Sequence, residues 1–418
     1  MSKHILSLLL ALTLCLLAGC GGDPAAPGAD PVSAPAAPTA APGERGEYRA
    51  VWISYLEWQG ADFSGEEAFR AQMGDWFDRY AAMGLNTVIA QVRPFGDALY
   101  ESGLFPWSHL CTGVQGQAPG FDPLAVLVEE AHARGLRLEA WLNPYRIALN
   151  GNLPGELAAD NLYHTHPDWV KAVEPGLYLD PASEEVQAYI AQGVAEILQN
   201  YEVDGIHLDD YFYPTTDESF DADAYAVYCE AAGRDALGLG DWRRENVNAL
   251  VSRLYRLVHL DEAASGRGAV LGISPQGNND NNYAMQYSDV ALWLAQPGYV
   301  DYVMPQVYWG YGYTLQSGST RFAFENITAE WCALPRAEGV ALYFGLGAYR
   351  IGDGDGGSYD NAVAQWQTGR NLADMVTTLR GLDCDGWALY RSDFLVRNGA
   401  WSELAAAECA ALAELCTD

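Results

Sequence analysis

Basic residues are scarce in this chain: 23 Lys and Arg stand against 55 Asp and Glu, a formal net charge of −32. Such a surface repels nucleic acid and anionic membranes, so no nucleic-acid partner is expected. Histidine is thin as well, with seven in 418 residues, and no cysteine pair shows C-x-x-C spacing. A metal centre of the usual His and Cys ligand sets therefore has no foundation here. No glycine-rich phosphate turn follows the first strand, where Trp52-Ile-Ser-Tyr-Leu-Glu-Trp58 stands instead. That absence argues against a dinucleotide fold and, with the missing metal ligands, leaves no cofactor expected. The one strongly apolar run, Ile5 to Leu17, is too short to cross a bilayer as a helix.

Aromatics are what the chain has in excess: 13 Trp and 25 Tyr bring the Phe, Trp and Tyr share to 12%. Rings beyond the needs of a core line grooves that take sugars or other flat ligands, although packing is their commoner use. At 418 residues and 50% apolar, one large domain with a sizeable core is affordable.

The N-terminus reads as an address. Lys3 gives a positive start, the apolar run follows, and Leu17-Ala-Gly-Cys20 matches a bacterial lipobox. Residues 1–19 are expected to be a lipoprotein signal peptide and Cys20 the acylated first residue, which exports the protein and anchors it to the cell envelope. Residues 20–46, rich in Ala, Pro and Gly, cannot build a core and form a flexible tether. Residues 47–418 make the folded domain. Its six cysteines leave disulfides and buried thiols equally open.

From Tyr48 onward strand-like and helix-like segments alternate. Strands are expected at Tyr48 to about Trp58, Leu85 to Phe95, Leu136 to about Tyr145, from Asp204, at about Ala269 to Ser274, Asp301 to Tyr308, Val340 to Ala348, and Gly386 to about Ser392. Each is a short apolar run bounded by Gly, Asp or Pro, as in parallel strands buried on both faces. The helices between them carry start signals: Ser64 with Glu67 as a capping box, Asp122-Pro123, and Asp180-Pro181. Eight such units over this length predict an α/β fold, a closed (β/α)8 TIM barrel with enlarged strand-to-helix loops. An open doubly wound sheet is the other reading. Ser402 to Leu415 is an amphipathic helix expected to pack outside the barrel.

The stretch Asp204-Gly-Ile-His-Leu-Asp-Asp-Tyr-Phe-Tyr-Pro214 organises the rest. Ile206 and Leu208 alternate with His207 and Asp209, so if the apolar pair faces the helices then His207, Asp209 and Tyr211 face the other way. Other strand ends also mix hydrogen-bonding and aromatic side chains: Gln91-Val-Arg-Pro-Phe-Gly96, Trp141-Leu-Asn-Pro-Tyr-Arg146, Ser274-Pro-Gln-Gly-Asn278 and Met304-Pro-Gln-Val-Tyr-Trp309. Buried polar groups need partners, and sugar hydroxyls with ring faces would supply them. Arg93, Asn143, Tyr145, Arg146, Tyr211, Gln306, Tyr308 and Trp309 are therefore the expected substrate-binding residues.

Except for the Ser274 to Asn278 stretch, these motifs, together with Arg49-Ala-Val-Trp52 and the continuation Asp97-Ala-Leu-Tyr100, resemble the bacterial family-10-like glycosyl hydrolase lipoproteins. The resemblance implies a barrel that hydrolyses glycosidic bonds of a cell-wall or surface polysaccharide, with peptidoglycan glycan strands as a substrate. It places Asp209 and Asp210 on the family's Asp-Asp-Tyr motif, Asn143 and Arg146 on Asn-Pro-Tyr-Arg, and Arg93 and Gln306 on Arg-Pro and Pro-Gln. Glu139 departs from it, standing where a histidine is expected.

Glycoside cleavage needs one protonated and one ionised carboxyl. Asp209 is the candidate for the ionised role, and Asp210, pushed upward by its neighbour, for the acid. Glu57, Glu139 and Asp393 are further candidates for a partner. A lipoprotein that binds glycan in the same groove without cutting it is the alternative from another class. His164-Thr-His166, Asn278 to Asn282 and Asp353 to Gly357 read as solvated loop and turn chemistry rather than as ion sites.

Overall fold

The structure is a computed structural model that describes residues 46–150, 155–174, 176–396 and 400–416. The expected signal peptide, Cys20 and all but the last residue of the tether lie outside the described residues.

Among the described residues there are twelve strands: β1 (Tyr48–Ile53), β2 (Thr87–Arg93), β3 (Arg137–Leu142), β4 (Arg146–Leu149), β5 (Val170–Val173), β6 (Gly176–Leu179), β7 (Gly205–Leu208), β8 (Val270–Ile273), β9 (Tyr302–Val303), β10 (Gln306–Val307), β11 (Ala341–Gly347) and β12 (Gly386–Tyr390). Parallel pairing runs β12-β1-β2-β3-β7-β8-β9, and both β9 and β10 pair with β11, which pairs with β12. The ring therefore closes, with Tyr48 opposite Gly386 and Ala50 opposite Thr87 across its two seams beside β1. This is the expected (β/α)8 barrel, its sixth strand broken in two at Met304-Pro305 because proline has no N–H to give the ladder.

Alternation along each strand separates two cores. Val51, Ile53, Val88, Ala90, Ile206, Leu208, Leu271 and Phe344 point outward against the helices, where Phe69, Met73, Phe77, Tyr80, Val186, Ile190, Leu250 and Leu254 meet them. Tyr48, Ala50, Trp52, Ile89, Trp141, Tyr302 and Met304 fill the interior. A barrel of eight strands has room for side chains inside and no channel. Gly272 and Gly345 make room for two of these rings: an added Cβ would lie 1.8 Å from Tyr302 Cζ or 2.7 Å from the Trp52 ring.

Several start signals act elsewhere than expected. The first strand stops at Ile53, and Ser54 with Glu57 forms the capping box of a short helix, Tyr55–Trp58. Ser64 is no N-cap: the helix Glu66–Ala82 begins after Gly65 without a side-chain cap, while Ser64 turns back so that its N–H donates to Asp62. The Ser-x-x-Glu spacing occurs at both places, and only at Ser54 does the following chain fold back onto it. Asp180 likewise accepts from Ala182 N in the turn, leaving Ser183 to cap Glu184–Asn200. Asp122 with Pro123 caps Pro123–His132 as the sequence predicts. The loop after β3 holds a small antiparallel sheet, β4-β6-β5, that the strand rhythm does not announce. The six described cysteines are all free thiols.

Candidate active site

A hollow of about 240 Å³ opens at the C-terminal ends of the strands, lined by Trp52, Trp141, Asp209, Asp210, Tyr211, Ser274, Gln306, Tyr308 and Tyr390. Two larger clefts, about 470 and 400 Å³, open around the opposite ends of β11 and β12. The acids there are tied to structure, Asp385 accepting from Arg336 and from Leu342 N. At that end of a barrel such groups serve stability, whereas chemistry gathers at the carboxyl ends.

Asp209 continues the alternation of β7 and points inward, fully enclosed. Asn143 Nδ2 donates to both of its oxygens at 2.7 and 2.6 Å, Trp141 Nε1 donates at 3.2 Å and Tyr211 N at 3.1 Å. Asn143 is itself fixed, its Oδ1 accepting from Gln91 Nε2 at 2.5 Å and from Arg146 Nη2 at 2.7 Å. Burial raises the Asp209 carboxyl above the usual range, and the Arg146 charge and these donors pull it back down. Asp210 follows where the strand has ended, and so reaches the same hollow from the next position. It accepts from Gln306 Nε2 at 2.9 Å. Burial, then the Asp209 charge, push it up to about 7. Asp209 faces the more donors of the two and so holds a charge better, while that charge disfavours a second one on Asp210.

Arg146 lies under the rim, 5.1 Å from the Tyr211 ring centroid, its Nε donating to Pro94 O at 2.9 Å. Tyr211 is half exposed and forms one wall. Tyr308 stacks on Tyr390 at 5.3 Å to make another. Below the hollow, His207 is fully buried and held neutral, its pKa lowered to about 3 by burial.

Five sequence-predicted binding residues do not line the hollow: Asn143 and Arg146 are buried behind Asp209, and Arg93, Tyr145 and Trp309 lie away from it. Arg93 should share the inner face with Gln91, but a register shift between Gln91 and Arg93 turns it outward, where its guanidinium lies 4.4 Å from the Phe105 ring centroid. Its Nε and Nη2 have no hydrogen-bond partner among the described residues. Tyr145, displaced by Pro144, is buried in the outer core, and its backbone carbonyl accepts from Leu179 N at 2.7 Å. Trp309 stacks on Phe322 at 5.0 Å beyond the rim. Glu57 is claimed by Ser54 and by Arg391 at 2.6 Å. Asp393 lies by Arg391 at 3.4 Å. Glu139 does point inward, but at the bottom layer, accepting from Tyr48 and Tyr302.

Sequence reasoning missed Trp52, Trp141, Ser274 and Tyr390 as walls and Gln91 as the support of Asn143. Trp141 and Ser274 stand in the strand-end motifs, so inward alternation was a usable signal; Trp52 and Tyr390 are read from pattern alone as packing.

His164 is exposed on the short helix Leu162–Thr165 with His166 at its C-terminal end, rather than in the expected loop, and no group of three or more His, Cys, Asp or Glu among the described residues is placed to hold a metal. Asn278 caps the helix Asn279–Ala284, and Asp355 is taken up by Gly310 N, Gly357 N and the Tyr359 hydroxyl.

Known proteins share this architecture. The solved glycoside hydrolase domain of PgaB (BpsB) from Bordetella bronchiseptica aligns with a TM-score of 0.54 at 15% identity, covering 86% of this chain and 98% of that one. The catalytic domain of beta-amylase from Paenibacillus polymyxa aligns with a TM-score of 0.52 at 12% identity over 87% and 98%. At such identities they show the fold. In sequence, the chain is 35% identical to Glycosyl hydrolase YngK of Bacillus subtilis over 73% of its length, spanning 61% of that protein. It is 31% identical to Glycosyl hydrolase DigH of Escherichia coli K12 over 83% of both chains. The sequence model described as Glycosyl hydrolase-like 10 matches residues 47–363, and the chain belongs to that family.

Proposed function

We propose that the protein hydrolyses glycosidic bonds of a cell-envelope polysaccharide, with peptidoglycan glycan strands as the first substrate to test. The observation that carries this reading is the Asp209 and Asp210 pair, one charge-stabilised and one held near neutrality as an acid, meeting in a hollow walled by Trp52, Trp141, Tyr211, Tyr308 and Tyr390. At about 240 Å³ the space is below that of a typical ligand cleft, so it takes one ring and leaves the rest of a chain to the rim.

In this reading Asp210 gives its proton to the leaving glycosidic oxygen as the bond to the anomeric carbon breaks. Asp209 faces the positive charge that develops on the ring, as nucleophile or as the base that takes a proton from the attacking water. Asn143, Trp141 and Tyr211 N hold Asp209 against rotation, which preorganises the charge rather than leaving solvent to supply it. Arg146 acts through Asn143 and the Tyr211 ring. The anchor at Cys20, the tether over residues 20–46 and export to the envelope complete the proposal and rest on the lipobox alone.

The test is release of new reducing ends from purified glycan strands by the wild type and by Asp209→Asn. Turnover by the wild type that the variant loses supports hydrolysis. Binding without turnover in both transfers support to a glycan-binding protein that uses the same hollow.

A further inference from the structure

Under the hollow a line of hydrogen bonds runs down the barrel axis, and its direction can be read from donor chemistry. Trp52 Nε1 is only a donor, and it points at His207 Nε2 at 3.1 Å. His207 Nε2 is therefore bare, and in the neutral ring the proton sits on Nδ1. That nitrogen lies 2.7 Å from the Tyr302 hydroxyl, which consequently accepts from it and must send its own proton elsewhere. It goes to Glu139 Oε2 at 2.5 Å, while the Tyr48 hydroxyl donates to Oε1 at 3.0 Å. Ser274 Oγ, a wall of the hollow, is 3.1 Å from the same His207 Nε2. With Nε2 bare, the hydrogen bond on this line has Ser274 donating and sharing that nitrogen's one lone pair with Trp52, and the hydroxyl so held turns its own lone pairs to the hollow.

Glu139, Tyr48, Tyr302, His207, Trp52 and Ser274 are all buried. Five of the six come from four strands, β1, β3, β7 and β9, and Ser274 follows β8, so no local signal creates the chain. Gly272 clears the space that the Tyr302 ring occupies. Each link agrees with the next when the lowest group accepts from Tyr302, and Glu139 accepts from both tyrosines once it is ionised, above the value of about 7 to which burial raises it. An ionised carboxyl meets both tyrosines; an amide can still turn its oxygen to Tyr302 and give its donor to Tyr48, whereas an apolar side chain leaves Tyr302 with no acceptor below it.

We propose that Glu139 is a positioning residue that, through Tyr302, holds His207 in its Nδ1–H tautomer and so fixes Trp52 as a wall and Ser274 as an acceptor-only group for a substrate hydroxyl. A substrate ring is thus selected for a hydroxyl donor at the Ser274 side of the hollow. The selectivity part rests on the hydrolase reading, whereas the tautomer does not.

Two measurements separate them. In the full chain labelled with ¹⁵N in the histidine rings, with His207 assigned by its loss in His207→Asn, the wild type should show a protonated Nδ1 and a bare Nε2. Glu139→Leu frees Tyr302 to donate to Nδ1 and should give a mixture of tautomers, and Glu139→Gln, whose amide can turn its oxygen to Tyr302, should restore the wild-type pattern. Should Glu139→Leu fail to fold, Tyr302→Phe removes the same link with one atom and should perturb the His207 ring resonances. A protonated Nε2 in the wild type, or ring resonances unmoved in folded Glu139→Leu or Tyr302→Phe, overturns the proposal. On glycan strands the same variants should raise KM by about 3- to 10-fold, the worth of one hydrogen bond, with a smaller change in kcat. A wild type with no turnover and the expected tautomers would sink the hydrolase reading and keep the positioning role.

Discussion

At the scale of single residues, the proposed chemistry depends on two adjacent carboxyls being held in different states by what surrounds them. Asp209→Asn should lower turnover by roughly 10²- to 10⁴-fold with the fold intact, checked by reducing-end release alongside a melting curve. Asp210 must carry its proton to act, and its folded value is about 7, so the protonated fraction declines as pH rises through neutrality. The rate per site is therefore expected to fall on the alkaline side of about pH 7, and a profile that stays flat there would remove Asp210 from the acid role. Arg93 supplies a contrasting case. Its charge is buried against Phe105 with two N–H groups unpaired, so Arg93→Met should leave KM unchanged and hold or raise stability, since a buried charge without partners is costly. The sequence shows Arg93 and Asn143 as equals in strand-end motifs; one irregular step between Gln91 and Arg93 is what separates them.

Elements bring these residues together through small devices. The C-terminal helix, Ser402–Leu415, reads as packing, yet its buried Glu408 accepts from Asn371 N at 2.7 Å and Leu372 N at 3.0 Å, capping a helix more than thirty positions earlier. Glu408→Ala should cost about 1–3 kcal/mol by leaving those N–H groups unsatisfied, a drop visible in chemical denaturation. Gly272→Ala should be worse for folding than its one added carbon suggests, because the Cβ meets Tyr302 at 1.8 Å inside a closed ring. Helix and strand positions were largely legible because their periodicities are local. The two misplaced caps, at Ser64 and Asp180, were not, because several polar residues lie within a turn of each helix start and the choice among them depends on how the incoming chain approaches.

The whole molecule stores several carboxyls that folding drives toward neutrality. Burial raises Glu57, Glu139, Asp210 and Glu408 each to about 7. Their folded values exceed the unfolded ones, so the stability they contribute is complete in mild acid and is lost as pH rises from about 4.5 through 7. Self-repulsion of a chain with net charge −32 acts in the same direction. The melting temperature is therefore expected to be higher near pH 5 than near pH 8, the reverse of a protein whose acids are held low, and scanning calorimetry across that range decides it. The tether, if it is one, joins the barrel at Gly46, beside the start of β1 and so at the end away from the hollow. Cys20→Ala should release the protein from membranes while leaving turnover on soluble glycan strands unchanged, measured in fractionated cells and in the reducing-end assay.

By itself the sequence determined the strand rhythm, the inward face of β7 and the family, because alternation, short apolar runs and clustered motifs are properties of neighbouring residues. Only the tertiary structure decided which strand-end side chains share a hollow. That choice turns on a shifted register at Arg93, a proline before Tyr145 and the closing of a ring that sets Glu139, Tyr302, His207 and Trp52 in line. Hydrogen bonds across 95 to 163 residues of chain leave no periodic trace, since they exist only when distant strands stand side by side.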